Sequence, residues 1–106
     1  MILLELDEIR KKIDEIDDQL IKLLRQRLDA AAEIAAWKGE HGLPVDDSQR
    51  EAAICRRATE RLGASYAPYG ATFFDSLFAI SRAYQQQCRA EAKTRSEPGQ
   101  MKEESP

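Results

Sequence analysis

The sequence predicts an all-α protein, with three helices per chain, the first very long, intertwined with a second copy into a helical homodimer. Three observations lead there. Apolar residues recur three and four apart along the first third of the chain. Strand signals are missing: there is no sustained alternation and no hairpin dipeptide between β-branched runs. The first helix is also too long to fit within a compact chain of 106 residues.

Stepping three then four from Leu6 gives Leu6, Ile9, Ile13, Ile16, Leu20, Leu23, Arg27, Ala30, Ile34 and Trp37. Every member of this seam is apolar except Arg27. The residues between are mainly Glu, Lys, Gln, Asp and Ala, which favour helix. The pattern runs to about Lys38, where Gly39, Gly42 and Pro44 are expected to end it. Such a helix of about 33 residues spans ~50 Å. A compact domain of this size has a diameter near ~33 Å. Two shorter helices cannot cover the whole seam, so part of it meets water unless a second chain covers it. A left-handed pair suits the seam's 3.5-residue repeat. The alternative is a monomeric three-helix bundle with a protruding end.

The second helix is expected to start at Asp46–Asp47–Ser48, which supplies N-caps, and to run through Ala52, Cys55, Ala58 and Leu62 to Gly63. The third opens near Pro68, a favoured first-turn residue. It carries Phe73, Phe74, Leu77, Phe78, Ile80 and Tyr84 and fades near Lys93. From Thr94 to Pro106 the chain is polar and reads as a disordered tail. The predicted organisation is therefore one domain over residues 1–93 and a tail over 94–106.

Composition narrows the function classes. Sixteen Lys and Arg face nineteen Asp and Glu, a net charge of -3. That balance gives no basic stripe for nucleic acid. No apolar run approaches a membrane span, and the acidic start, Met1 to Glu8, does not read as a signal peptide. Two cysteines, Cys55 and Cys88, make no disulfide framework and read as buried thiols of a cytoplasmic protein. His41 sits among glycines without clustered partners, so no metal site and no cofactor are expected.

Several charges interrupt the helical pattern. Arg27 on an apolar seam is costly to bury without an anion, though it can snorkel or form a structural salt bridge. Lys38 lies eleven residues on, close to three full turns, and points the same way ~16 Å along the axis. Arg10 lies ~25 Å from Arg27 and about 100° around the helix, so it can serve the same site only from a partner chain. Asp47, Arg50 and Glu51 share one face of the second helix's first turn. Ser48 and Glu51 also fit a capping box, which would make Glu51 a local device. Ser81 and Gln85 are four apart on a face with aromatic neighbours, a pair that is commonly just solvated.

Taken in order, these residues resemble the all-helical chorismate mutases. The stretch Leu6-Asp7-Glu8-Ile9-Arg10 with Ile13 and Ile16-Asp17 resembles the family's start. So do Leu23-Leu24-Arg25-Gln26-Arg27 and Ala36-Trp37-Lys38. The turn Pro44-Val45-Asp46-Asp47 with Arg50-Glu51, and Phe74 through Ile80-Ser81-Arg82-Ala83-Tyr84-Gln85, are similar to its second- and third-helix signatures. The resemblance covers about residues 3–90. It implies an entangled homodimer that rearranges chorismate to prephenate, on the branch toward phenylalanine and tyrosine. It also implies roles: Arg10 of the partner and Arg27 on the substrate carboxylates; Lys38 on a carboxylate and the ether oxygen; Gln85 on that oxygen; Asp47 and Glu51 on the ring hydroxyl; Ser81 assisting a carboxylate; Arg50 bracing the acidic cluster. A slip in the turn over 62–68 would exchange Ser81 for Ser76, or Gln85 for Gln86 or Gln87.

The chemistry suits these residue types. A one-substrate pericyclic step needs no nucleophile. It needs a flexible dianion held in a reactive shape and fixed donors aimed at the ether oxygen as negative charge grows there. Arginine binds carboxylates through its fork, and a glutamine donates at any ordinary pH. The rival on the same fold is a lyase releasing pyruvate from isochorismate. It shares the cations but lacks the acidic pair, so Asp47 and Glu51 favour the mutase. A non-catalytic helical dimer would explain the seam but not Arg27, Lys38, Glu51 and Gln85 together.

Overall fold

The structure, a computed structural model, describes residues 2–96, with side chains from 5 to 95. Three helices account for nearly all of it: α1 (Ile2–Glu40), α2 (Ser48–Leu62) and α3 (Ala67–Ser96), with no strand among the described residues. No helix there is long and apolar enough to cross a membrane. The described chain divides into two units at Ala30/Ala31.

Residues 2–30 form a single helical stretch, beginning four residues before the expected Leu6. Its apolar stripe, Leu6, Ile9, Ile13, Ile16, Leu20 and Leu23, is 37–57% exposed. One helix makes up the whole unit, so this stripe has no second element of its own unit to pack against.

The second unit, residues 31–96, contains the buried side chains: Ala31, Ala35, Val45, Leu77 and Phe78, joined by the polar Ser81 and Gln85. Here α1 turns a second face inward. Ile34 and Trp37 are about half exposed, and the buried stripe of α1 runs one position around, through Ala31 and the fully buried Ala35, with Lys38 half-buried. Large residues define a seam in sequence, but alanines allow the closest approach of a neighbour, and burial follows approach.

The end of α1 also differs from expectation. Gly39 lies within the helix, which runs to Glu40. Gly42, at φ +68, is the residue that ends it. The Leu43 N–H returns to the Lys38 carbonyl at 2.8 Å and the Gly42 N–H to the Gly39 carbonyl at 3.4 Å. These two bonds satisfy carbonyls that the helix leaves open, with a left-handed residue between them. His41 stacks on Trp37 with centroids 3.9 Å apart, and its Nδ1 lies 2.8 Å from the Trp37 carbonyl oxygen.

In α2 no residue is fully buried. Cys55 and Ala58 are half-buried as the pattern implies, whereas Ala52 and Leu62 are exposed. Both cysteines are free and half-buried, less covered than expected. Gly63, at φ +85, closes α2 by donating to the Thr59 carbonyl. Its own carbonyl then accepts from Tyr66 and Ala67, which starts α3 one residue before Pro68. The two helices pack on each other. At their joined ends Gly70 is buried, and a Cβ there would meet the Leu62 Cδ1. Along α3, Phe74 stands edge-on to Phe73 at 5.4 Å and tilted to the buried Phe78 at 5.7 Å. Phe73 and Ile80, on the same helix, are about half exposed.

The expected boundary at residue 93 falls inside α3, because Thr94, Arg95 and Ser96 continue it. Lys93 and Arg95 occupy the last turn, where cations favour the helix C-terminus. The rest of the expected tail, 97–106, lies outside the described residues.

Replacing Gly42 with alanine forces a Cβ into the left-handed region. We expect a loss of about 1–2 kcal/mol, read as a lower urea midpoint with an unchanged slope at fixed protein concentration. A Gly42→Ala protein as stable as the parent would remove this turn as the terminator of α1.

Candidate active site

Two of the eight residues singled out from the sequence lie in the first unit. Arg10 is exposed, with Nη1 4.0 Å from Asp7 Oδ1 one turn back, a pair of little energetic weight. Arg27 is half-buried on the seam. The other six lie in the second unit, where specific contacts relate several of them to their surroundings.

Asp47 is the N-cap of α2. Its Oδ1 accepts from the Arg50 N–H at 3.0 Å, and its carbonyl accepts from the Glu51 N–H at 3.1 Å. This overturns the capping-box alternative, since Ser48 is the first helical residue and not the cap. Glu51 is instead turned away from its own helix end. Both its carboxylate oxygens accept from Arg82 Nη1 of α3, each at 2.6 Å. The pair is partly shielded, with side-chain exposures of 26% for Glu51 and 37% for Arg82. That hydrogen bond and the carboxylate's charge raise the Arg82 pKa further above its ordinary value, against a smaller desolvation effect. Arg50, expected to brace the acidic cluster, is exposed. Arg82 of α3 is the residue whose side chain holds Glu51.

On α3, Ser81 and Gln85 are both buried, at 7% and 8% exposure. Gln85 Nε2 donates to Ser81 Oγ at 3.1 Å. The alternatives in register, Ser76, Gln86 and Gln87, are all exposed. The Gln85 amide is only half used. Nε2 keeps a second N–H, and Oε1 is buried without a hydrogen-bond partner. A buried polar atom left so costs about 1–3 kcal/mol. Turning the amide over lets Oε1 accept from the Ser81 hydroxyl and frees both N–H groups. In either orientation Ser81 serves one end of the amide.

Lys38 is half-buried in the last turn of α1, and its Nζ donates to the Val45 carbonyl at 3.2 Å. Val45 is itself buried. Arg89 of α3 donates to the Leu43 carbonyl at 2.7 Å. Two cations from different helices thus hold the connection that carries Asp47.

Arg82 and Arg89 were not singled out from the sequence. Arg82 lies 31 residues from Glu51, beyond any local spacing rule. Arg89 did carry a signal: Ser81, Gln85 and Arg89 are four apart in turn, hence on one helical face. Among the described residues, no three His, Cys, Asp or Glu side chains are grouped to hold a metal ion.

The described residues are all helical, and the three helices carry these cations, the acid and the amide. The family model for chorismate mutase type II matches residues 9–86, a span that contains all eight singled-out residues. The chain belongs to the chorismate mutase type II family. It is 45% identical over 53 residues to the chorismate mutase of Methanocaldococcus jannaschii, covering 50% of this chain and 54% of that one. It is 39% identical over 62 residues to the T-protein of Enterobacter agglomerans, covering 56% of this chain and 17% of that one. It is 33% identical over 54 residues to the 4-amino-4-deoxychorismate mutase of Streptomyces venezuelae, covering 51% of this chain and 52% of that one. The aligned stretch is thus about half the length of two of these relatives and under a fifth of the T-protein. No solved structure gives a significant match.

Asp47→Ala removes the cap and is expected to destabilise the protein by about 1 kcal/mol, whereas Asp47→Asn, an equally good cap, leaves stability nearly unchanged. Thermal denaturation of the two variants checks this. Equal losses in both would show that Asp47 acts on stability through its charge and not through the cap.

Proposed function

We propose that the protein is a chorismate mutase, a homodimer that converts chorismate to prephenate. The observation that carries the reading is the buried Ser81–Gln85 pair, whose amide oxygen has no hydrogen-bond partner, within a chain of the type II family. In the reaction the ether C–O bond breaks as a C–C bond forms within one molecule, so no second reactant is needed. The enzyme's work is to hold the dianion in its reactive shape and to stabilise charge on the ether oxygen in the transition state.

Gln85 donates to the ether oxygen through its free N–H. Lys38 gives up or shares its Val45 contact to reach a carboxylate and the same oxygen. Arg27 and the partner's Arg10 bind the carboxylates. Glu51 and the Asp47 end of α2 accept from the ring hydroxyl, Ser81 assists a carboxylate, and Arg50 braces the acidic cluster. The dimer is supported by the 2–30 unit, whose stripe of isoleucines and leucines has no cover of its own. A second copy supplies that cover and brings Arg10. Free, half-buried cysteines fit a cytoplasmic setting.

The direct test is incubation with chorismate, following its ultraviolet loss and the appearance of prephenate, on protein whose mass in solution is measured in parallel. Loss of chorismate by a dimer is expected. An unchanged substrate would reject the enzyme reading, pyruvate from isochorismate would replace it with the lyase, and a fully active monomer would reject the shared site. The Streptomyces relative is named for the 4-amino analogue, which makes that compound the comparison substrate.

Lys38→Ala is expected to lower kcat by roughly 10²–10³, as for loss of one oxyanion donor; turnover like the parent's would remove Lys38 from the site. Gln85→Glu tests the amide by pH. An amide does not titrate, so the parent's rate stays level across neutral pH. A glutamate donates only when protonated, so the variant works at low pH and loses rate as pH rises from about 5 to 8. Parallel pH profiles for the two proteins would contradict the role given to Gln85.

A further inference from the structure

We infer that Arg82 is a positioning residue for this site, acting through Glu51; the inference rests on the mutase reading. Glu51 is reached from across 31 residues by a single guanidinium nitrogen set symmetrically on both carboxylate oxygens, 2.6 Å each. A free glutamate samples many rotamers on a helix surface. A charge-assisted contact this short selects one. It also occupies only one edge of the carboxylate, which has about four lone-pair directions. The remaining directions stay open to accept from a ligand hydroxyl.

The placement of Arg82 in the sequence supports the assignment. It sits between Ser81 and Gln85 on α3, so a single turn of that helix presents a serine, a clamp on the α2 acid and an amide donor. Any shift of α3 moves all three together. Arg82 thereby ties the spacing between the hydroxyl-binding acid on α2 and the donor on α3 to one rigid contact. A substrate bound at both ends depends on that spacing, because misplacement of about 1 Å can cost 10²-fold in rate. A plain structural brace between two helices would need no such symmetric hold on a carboxylate that the site already uses.

The test is a double-mutant cycle with steady-state kinetics on the full chain, using Arg82→Met, Glu51→Gln and the pair, with Arg82→Lys as the conservative variant. Circular dichroism and melting of each protein normalise the rates to folded material. Arg82→Met is expected to lower kcat/KM about 10–100-fold. In the Glu51→Gln background the same change is expected to cost less than about twofold, since contacting residues that act as a unit are not additive. Arg82→Lys should restore part of the loss, as a point charge without the planar geometry. Additive losses, or parent-like kinetics in Arg82→Met with only a lower melting temperature, would overturn the assignment and leave the mutase reading intact. A parent protein that does not consume chorismate would overturn both.

Discussion

Backbone that leaves a helix must find new partners for its carbonyls, and in residues 31–96 two long cations provide them. Lys38 takes the Val45 carbonyl and Arg89 takes that of Leu43. The remaining geometry follows from this short connection. Gly42 turns the chain, the two cations fix its course, and the course delivers Asp47 to the start of α2. Asp47 then sets the helix phase, and the phase decides that Glu51 faces α3. With only five buried apolar side chains in the described structure, position depends here on polar contacts more than on a large core.

The helices were legible because they rest on local rules. Period, caps and the two left-handed glycines gave three elements and the order of the connections. What the local rules leave out is where neighbours sit. A pattern of large apolar residues shows where a helix wants cover, but the alanines at 31 and 35 show where cover is closest. Likewise Ser48 and Glu51 satisfy a local cap rule, and nothing in their spacing reveals that an arginine 31 residues away takes the acid instead.

The candidate site was partly readable for the same reason. Ser81 and Gln85 stand out by burial from Ser76, Gln86 and Gln87, although all five residues are of types common on helix surfaces. Their four-residue spacing was visible, but the half-satisfied amide was not. That is a property of surroundings, since it depends on which atoms a neighbour leaves unpartnered. Arg89 continues the same spacing and shows how a face chosen for two residues can be extended to a third.

The way Lys38 is held has a further effect. A carbonyl accepts a hydrogen bond from the ammonium without cancelling its charge, unlike the carboxylate that neutralises Arg82. The resting contact is therefore a neutral tether on a live cation. On a chain that is net acidic, an uncancelled positive charge makes a local minimum in potential for a multiply charged anion. Such a minimum acts before contact, on encounter rates, and it fades as ionic strength rises. The tether fixes the ammonium without a counter-charge, so whatever pull it exerts on a passing anion is set by the turn at the end of α1 and weakens with salt.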